Sequence, residues 1–117
     1  MAKQEMLKLL TTTKGTTMLR NPHPGQILKE EFLKELGMSQ NQLAEAIKVP
    51  GNRIHAIVNG TRAVTADTDL RLSRFFGLSE GYWLRLQNAY DTLEAKRKTA
   101  RDIAKIKPFA AHTENRV

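Results

Sequence analysis

The sequence contains no cysteine. That excludes a disulfide scaffold, a thiolate zinc site and a cysteine nucleophile. No apolar run approaches the roughly 18 residues that a membrane span needs. The Met6–Leu10 patch is too short for a signal peptide and has no cleavage site after it. There are only three histidines, and none has metal-ligand spacing with nearby carboxylates. No motif sets a nucleophile beside a base, so an enzyme is not expected, nor a metal or a cofactor. A chain of 117 residues is about one domain's worth. A small, soluble, cytoplasmic protein without a membrane partner is the expectation.

Positive charge is what the chain has in excess. Lys plus Arg is 19 against 12 Asp plus Glu, a formal charge of +7 with a pI near 10.0. Such a surplus suggests a polyanionic partner. It is unevenly placed. Lys3, Lys8, Lys14 and Arg20 against Glu5 give residues 1–20 a charge of +3. Residues 91–117 also carry +3, from seven cations and four anions. The seventy residues between hold eight cations and seven anions and are nearly neutral.

Residues 1–20 are expected to be weakly structured, since Thr11–Thr17 is polar and broken by Gly15. The alternative is a short helix docked on the domain. Met18 is also a possible start of translation. Order should begin at Asn21-Pro-His-Pro-Gly25, where two prolines keep the chain extended up to a helix start. Ile27, Leu28, Phe32, Leu33 and Leu36 recur at helical spacing, which predicts helix one over about Pro24–Leu36, with Gly37 just past its end. Ser39 and Gln42 form a capping-box pattern, and Leu43, Ala44 and Ile47 make the buried face of a short helix two. Helix three covers about Gly51–Asn59, with Ile54, Ile57 and Val58 as its stripe. Thr65 is the predicted N-cap of helix four, with Asp67 and Asp69 in its first turn. Ser79 is the predicted cap of helix five, whose apolar residues are Tyr82, Trp83, Leu86, Tyr90 and Leu93. Residues 95–117 read as a basic tail, in part helical, since the apolar pattern weakly returns at Ile103 and Ile106.

Two short helices joined by a tight turn invite a helix-turn-helix reading. Ala44 is small where the second helix would cross the first, and Ile54 and Ile57 face inward. The opposite face then has to enter a major groove and read base edges. Asn52 and Arg53 suit adenine and guanine edges, and Gln40 at a helix N-terminus suits a phosphate. His55 either touches DNA or stays exposed and uninvolved. Thr61 and Arg62 follow helix three within reach of a backbone. The plain alternative is a five-helix bundle whose polar faces simply meet water.

The segment Ser39–Gly60 resembles the helix-turn-helix of the lambda-repressor-like (Xre) family. Further stretches narrow the likeness: Asn21-Pro-His-Pro-Gly-Gln-Ile-Leu28, Glu31-Phe-Leu33, Leu36-Gly-Met-Ser-Gln40, Ile57-Val-Asn-Gly60, Thr65-Ala-Asp-Thr68, Leu70-Arg-Leu72, Arg74-Phe-Phe-Gly77 and Trp83-Leu-Arg-Leu-Gln87. Jointly they resemble the HigA-type antitoxins over about residues 21–94. The resemblance implies an all-α, five-helix lambda-repressor-like domain with flexible basic ends. It also implies a homodimer that binds operator DNA, represses its own operon and neutralises a RelE-like mRNA endoribonuclease toxin. Carried over by position, the phosphate-holding residue is Gln40. The reading positions are Gly51 and Asn52, with Arg53 beside them and Ala56 one turn on. Lys48 stands where the family's turn often has glycine, and Gly51 offers no side chain to a base. Tyr82, Trp83, Leu86, Tyr90 and Leu93 are the expected dimer surface, with core packing as the alternative for Tyr82 and Trp83. Competing functions are a stand-alone repressor without a toxin, and an adaptor that keeps the bundle but not DNA binding.

Overall fold

The computed structural model describes residues 20–110, and among them there is no strand. The expectations for residues 1–19 and 111–117 lie outside the described residues. Helix α1 is one continuous helix made of Pro24–Ile27, Leu28–Leu33 and Lys34–Leu36. Then follow α2 (Gln40–Ala46), α3 (Gly51–Val58), α4 (Ala66–Phe76) and α5 (Tyr82–Ala104), completing the five-helix architecture that the sequence implies. No helix among the described residues is long and apolar enough to cross a membrane.

His23 starts α1. Its Nδ1 accepts the Gly25 N–H at 2.9 Å, and Pro24 fills the first helical position, where a missing N–H costs nothing. Burial holds the His23 pKa below its ordinary value, against a smaller upward pull from Asp91, so the ring keeps Nδ1 as an acceptor. In the middle of α1 the hydrogen-bond step widens to five residues, with the Lys34 N–H reaching the Lys29 carbonyl. The wider winding turns Leu28, Glu31, Phe32 and Leu33 all inward. Leu36, expected on the apolar stripe, is 48% exposed instead. The chain reverses at left-handed Gly37, the Met38 N–H bonds back to the Leu33 carbonyl at 3.0 Å, and Met38 packs against the core in its place.

Every helix contributes to that core. Leu28, Phe32, Leu43, Ile54, Ile57, Leu72 and Trp83 have no exposed surface. Phe32 lies 5.0 Å from Trp83 and 4.8 Å from Phe76, centroid to centroid, at tilted angles that suit aromatic quadrupoles. The backbones of α1 and α3 nearly touch: a Cβ on Gly25 would stand 1.7 Å from the Ile57 carbonyl oxygen. Only glycine permits that approach.

Helix α5 is capped from a distance. Its N-cap position is Gly81, which has no side chain to offer, and the Ser79 hydroxyl instead accepts from Arg85. The N–H groups of Gly81, Trp83 and Leu84 donate to the carboxylate of Asp69 at 2.7, 2.8 and 3.3 Å. Ser73 donates to the same group at 3.4 Å. The expectation of Ser79 as cap is therefore corrected, because a buried anion outcompetes a hydroxyl at the positive end of a helix. Thr65 stands at the N-cap position of α4, yet its hydroxyl turns to Thr68 and caps nothing.

Part of the basic tail is helical. Helix α5 runs past Leu93 to Ala104, through Lys96, Arg97, Lys98 and Arg101. Alanine, lysine, arginine and glutamate are good helix formers, so the helix outlasts its apolar stripe. What fades after Leu93 is packing: most later side chains are exposed.

Two outcomes follow. Asp69→Ala strands three donors at a buried helix end and should cost about 2–4 kcal/mol in urea unfolding. Glu31 is buried, and its pKa is raised from the ordinary 4.5, by burial first and then by Glu35 and Glu30. A raised carboxyl favours the fold below its unfolded pKa, and that contribution disappears as pH climbs through the folded value. Glu31→Gln should therefore raise the melting temperature at pH 7, with the gain shrinking as pH falls through the raised folded pKa and gone below the ordinary 4.5.

Candidate nucleic-acid interface

Helices α2 and α3 form a helix-turn-helix. Ser39 starts α2 with the capping box read from the sequence: its hydroxyl accepts the Gln42 N–H at 3.0 Å, and the Gln42 amide oxygen accepts the Ser39 N–H at 2.8 Å. Leu43 and Ala44 are buried against α3, and Ile54 and Ile57 answer from the other side. The turn is made without glycine. Lys48 takes φ +60°, the one positive φ outside glycine among the described residues. Arg71 of α4 holds that strained corner, its Nη1 donating to the carbonyls of Ile47 at 2.9 Å and Lys48 at 3.3 Å.

The outward face of α3 is polar. Asn52, His55 and Asn59 are exposed, and Gly51 and Ala56 are partly covered. His55 bridges the two helices: its Nδ1 faces the Gln40 amide oxygen closely, and its Nε2 lies 3.1 Å from the Asn41 amide oxygen. Only an imidazolium donates to both; a neutral ring satisfies the pair with one amide turned to present its NH2. Gln40, half-exposed at the first position of α2, is thus oriented by the helix behind it. Asn41 closes over Gly51, where an added Cβ would stand 3.0 Å from its amide oxygen. Asn41 went unnoticed in the sequence because nothing local marks it.

Arg53 is placed differently from its neighbours. Its guanidinium is directed onto α4, 2.6 Å from the Asp67 carboxylate. Thr61 ends α3, with its N–H and hydroxyl both donating to the Ala56 carbonyl, at 2.9 and 3.2 Å. Arg62 follows and is exposed. Gln40, Gly51, Asn52, His55, Ala56, Thr61 and Arg62 therefore cluster around the outer side of the α2–α3 unit. Asp67 and Arg71, on α4, were missed as members of the site. Their spacing of four residues was a visible signal of an ion pair, though not of its destination.

The expected dimer residues divide. Trp83 has no exposed surface and belongs to the core, so it has nothing to give a second chain. That part of the expectation is corrected. Tyr82, Leu86, Tyr90 and Leu93 are half-buried on α5. The Tyr90 ring meets His23 edge-on at 4.9 Å, and its carbonyl accepts from Asn21 at 3.0 Å. No cluster of metal-ligating side chains occurs among the described residues.

A family profile described as helix-turn-helix matches residues 29–83. The chain is 44% identical to the virulence-associated protein I of Dichelobacter nodosus, over 80% of this chain and 85% of that one. Among solved structures, an addiction module antidote protein of a HigA family from Coxiella burnetii superposes with a TM-score of 0.73 at 47% identity. The alignment covers 78% of this chain and all of that one. The Pseudomonas aeruginosa antitoxin HigA, solved with the higBA promoter, gives a TM-score of 0.74 at 37% identity, covering 77% and 99%.

Lys48 supplies a test of the turn. Lys48→Gly removes the Cβ from a left-handed residue and should stabilise the fold by about 0.5–1 kcal/mol in urea unfolding, with the helix content unchanged by circular dichroism.

Proposed function

The chain belongs to the HigA-type antitoxins of the helix-turn-helix family, a family of DNA-binding regulators and not of enzymes, and on that footing we propose that it is an operator-binding antitoxin that represses its own operon. The observation that carries this is the α2–α3 unit, whose outer face is polar, uncovered and rigidly backed. Solved relatives at 36–37% identity are described as bound to a promoter or an operator. In this reading α3 enters the major groove. Asn52 presents an amide to a base edge, and Gly51 and Ala56 let the backbone approach closely. Gln40 and the N–H groups at the start of α2 hold a phosphate, and Thr61 and Arg62 meet the backbone beyond α3.

A homodimer would present two such helices to half-sites about 10 bp apart or a multiple of that. Its surface would be Tyr82, Leu86, Tyr90 and Leu93, four partly uncovered residues at spacings of three and four along α5. The partner toxin would be a RelE-like mRNA endoribonuclease, as the family likeness suggests. The site of action would be the cytoplasm, where the operon and its transcripts are.

A mobility-shift titration on the gene's own promoter should show preference over a scrambled duplex, and equal binding to both would remove the repressor reading. Asn52→Ala should weaken operator binding by about 1–3 kcal/mol and relax preference at one base position. Co-expression with the product of the adjacent reading frame should recover a stable complex and relieve that product's toxicity; no complex and no relief would remove the antitoxin reading.

A further inference from the structure

Arg53 is the third residue of α3, the position from which a long cation would sweep the groove. The structure holds it elsewhere. Its Nη1 lies 2.6 Å from Oδ2 of Asp67 and 3.5 Å from the Thr68 hydroxyl. The same Asp67 oxygen accepts Nε of Arg71 at 3.0 Å. Arg71 is fixed a second time by the turn carbonyls of Ile47 and Lys48. The Arg53 side chain is only 23% exposed, whereas Asp67 is 56% exposed, so the cation is covered and the anion stays at the surface. Bonds from Arg53, then from Arg71, hold the Asp67 carboxyl below the usual carboxylate range, and it is ionised throughout neutral pH.

Two guanidiniums converging on one anionic oxygen is the arrangement that arginines offer a phosphate. Here the chain supplies the anion itself. We infer that Asp67 is a specificity-determining residue: it occupies Arg53, withholds that cation from the DNA backbone, and leaves base reading to uncharged groups such as Asn52. This rests on the DNA-binding reading above. An unrestrained arginine at the start of α3 would find a phosphate on any sequence. Each such contact adds counterion release, strengthens binding to all duplexes alike and narrows the margin between operator and random DNA. Arg71 does not compete for the same role, because the turn carbonyls keep it in place whether or not Asp67 is charged.

The test measures binding of the full chain to operator and to random duplex across salt, for wild type, Asp67→Asn, Arg53→Ala and the double variant. Asparagine keeps the shape and an amide oxygen at residue 67 but not the charge. Asp67→Asn should bind random duplex about five- to tenfold more tightly at low salt, with the slope of log K against log salt steeper by about one. The operator-to-random ratio should fall. Adding Arg53→Ala should abolish the gain and restore the slope, a dependence that a mere brace between α3 and α4 would not show. Unchanged random-duplex binding in Asp67→Asn, or a gain that survives Arg53→Ala, overturns the inference. Should Asp67→Asn fail to fold by circular dichroism, Arg53→Ala alone decides. With Asp67 intact it should keep the operator-to-random ratio within about threefold, and a loss beyond tenfold overturns the inference. The random-duplex readout needs no operator. Absence of operator preference in the wild type would therefore sink the repressor reading while leaving the Arg53-dependent gain to be scored separately.

Discussion

The fold turns on one buried carboxylate. Asp69 is 1% exposed, and an ion so far from water is tolerable only when it is fully engaged. Three backbone N–H groups of α5 and the Ser73 hydroxyl engage it. The same bonds set where α5 begins. That start places Trp83 in the centre of the core against Phe32 of α1. The position of α1 in turn brings Gly25 onto the backbone of α3. A chain of contacts thus runs from an anion on α4, by way of the largest core side chain, to the helix that would face DNA.

Helix α3 has eight residues, too few to hold its shape alone. It is held from three sides. Against α1 the hold is steric, through Gly25 and Ile57. Against α2 it is apolar burial of Leu43 and Ala44 with Ile54 and Ile57, joined on the outside by polar contacts of His55 with Gln40 and Asn41. Against α4 it is ionic, through Arg53 and Asp67. None of the three uses Asn52 or Asn59. Holding and reading are therefore separate tasks on the same short helix.

Much of this was legible beforehand, and the reasons are local. Helix starts and stops followed from Ser39, Pro24, Gly37, Gly60 and Gly77, each of which acts on its own few residues. The inward face of α3 followed from Ile54 and Ile57 at a spacing of three. Contacts between distant segments were not legible. The sequence neighbourhood offered Ser79 as the cap of α5, and nothing in it tells that Asp69, twelve residues before Gly81, folds back to do that work. Arg53 looks like a groove cation until α4 brings Asp67 against it, fourteen residues on. Leu36 fits the apolar period, but the widened turn from Leu28 to Leu33 shifts the phase and leaves it outside. The end of helix α5 was not legible, because an apolar stripe reports packing, and a helix can persist where packing ends.

That overhang changes how the charge at this end of the molecule is displayed. Residues 95–104 carry Lys96, Arg97, Lys98 and Arg101, against Asp102, on about 15 Å of helix. A coil would spread those cations over a cloud of positions and would lose entropy whenever a polyanion gathered them. A helix has already fixed their mutual distances and angular order. It behaves as a ruler with charged graduations, rooted in the core at Trp83 and most prone to fray at its far end.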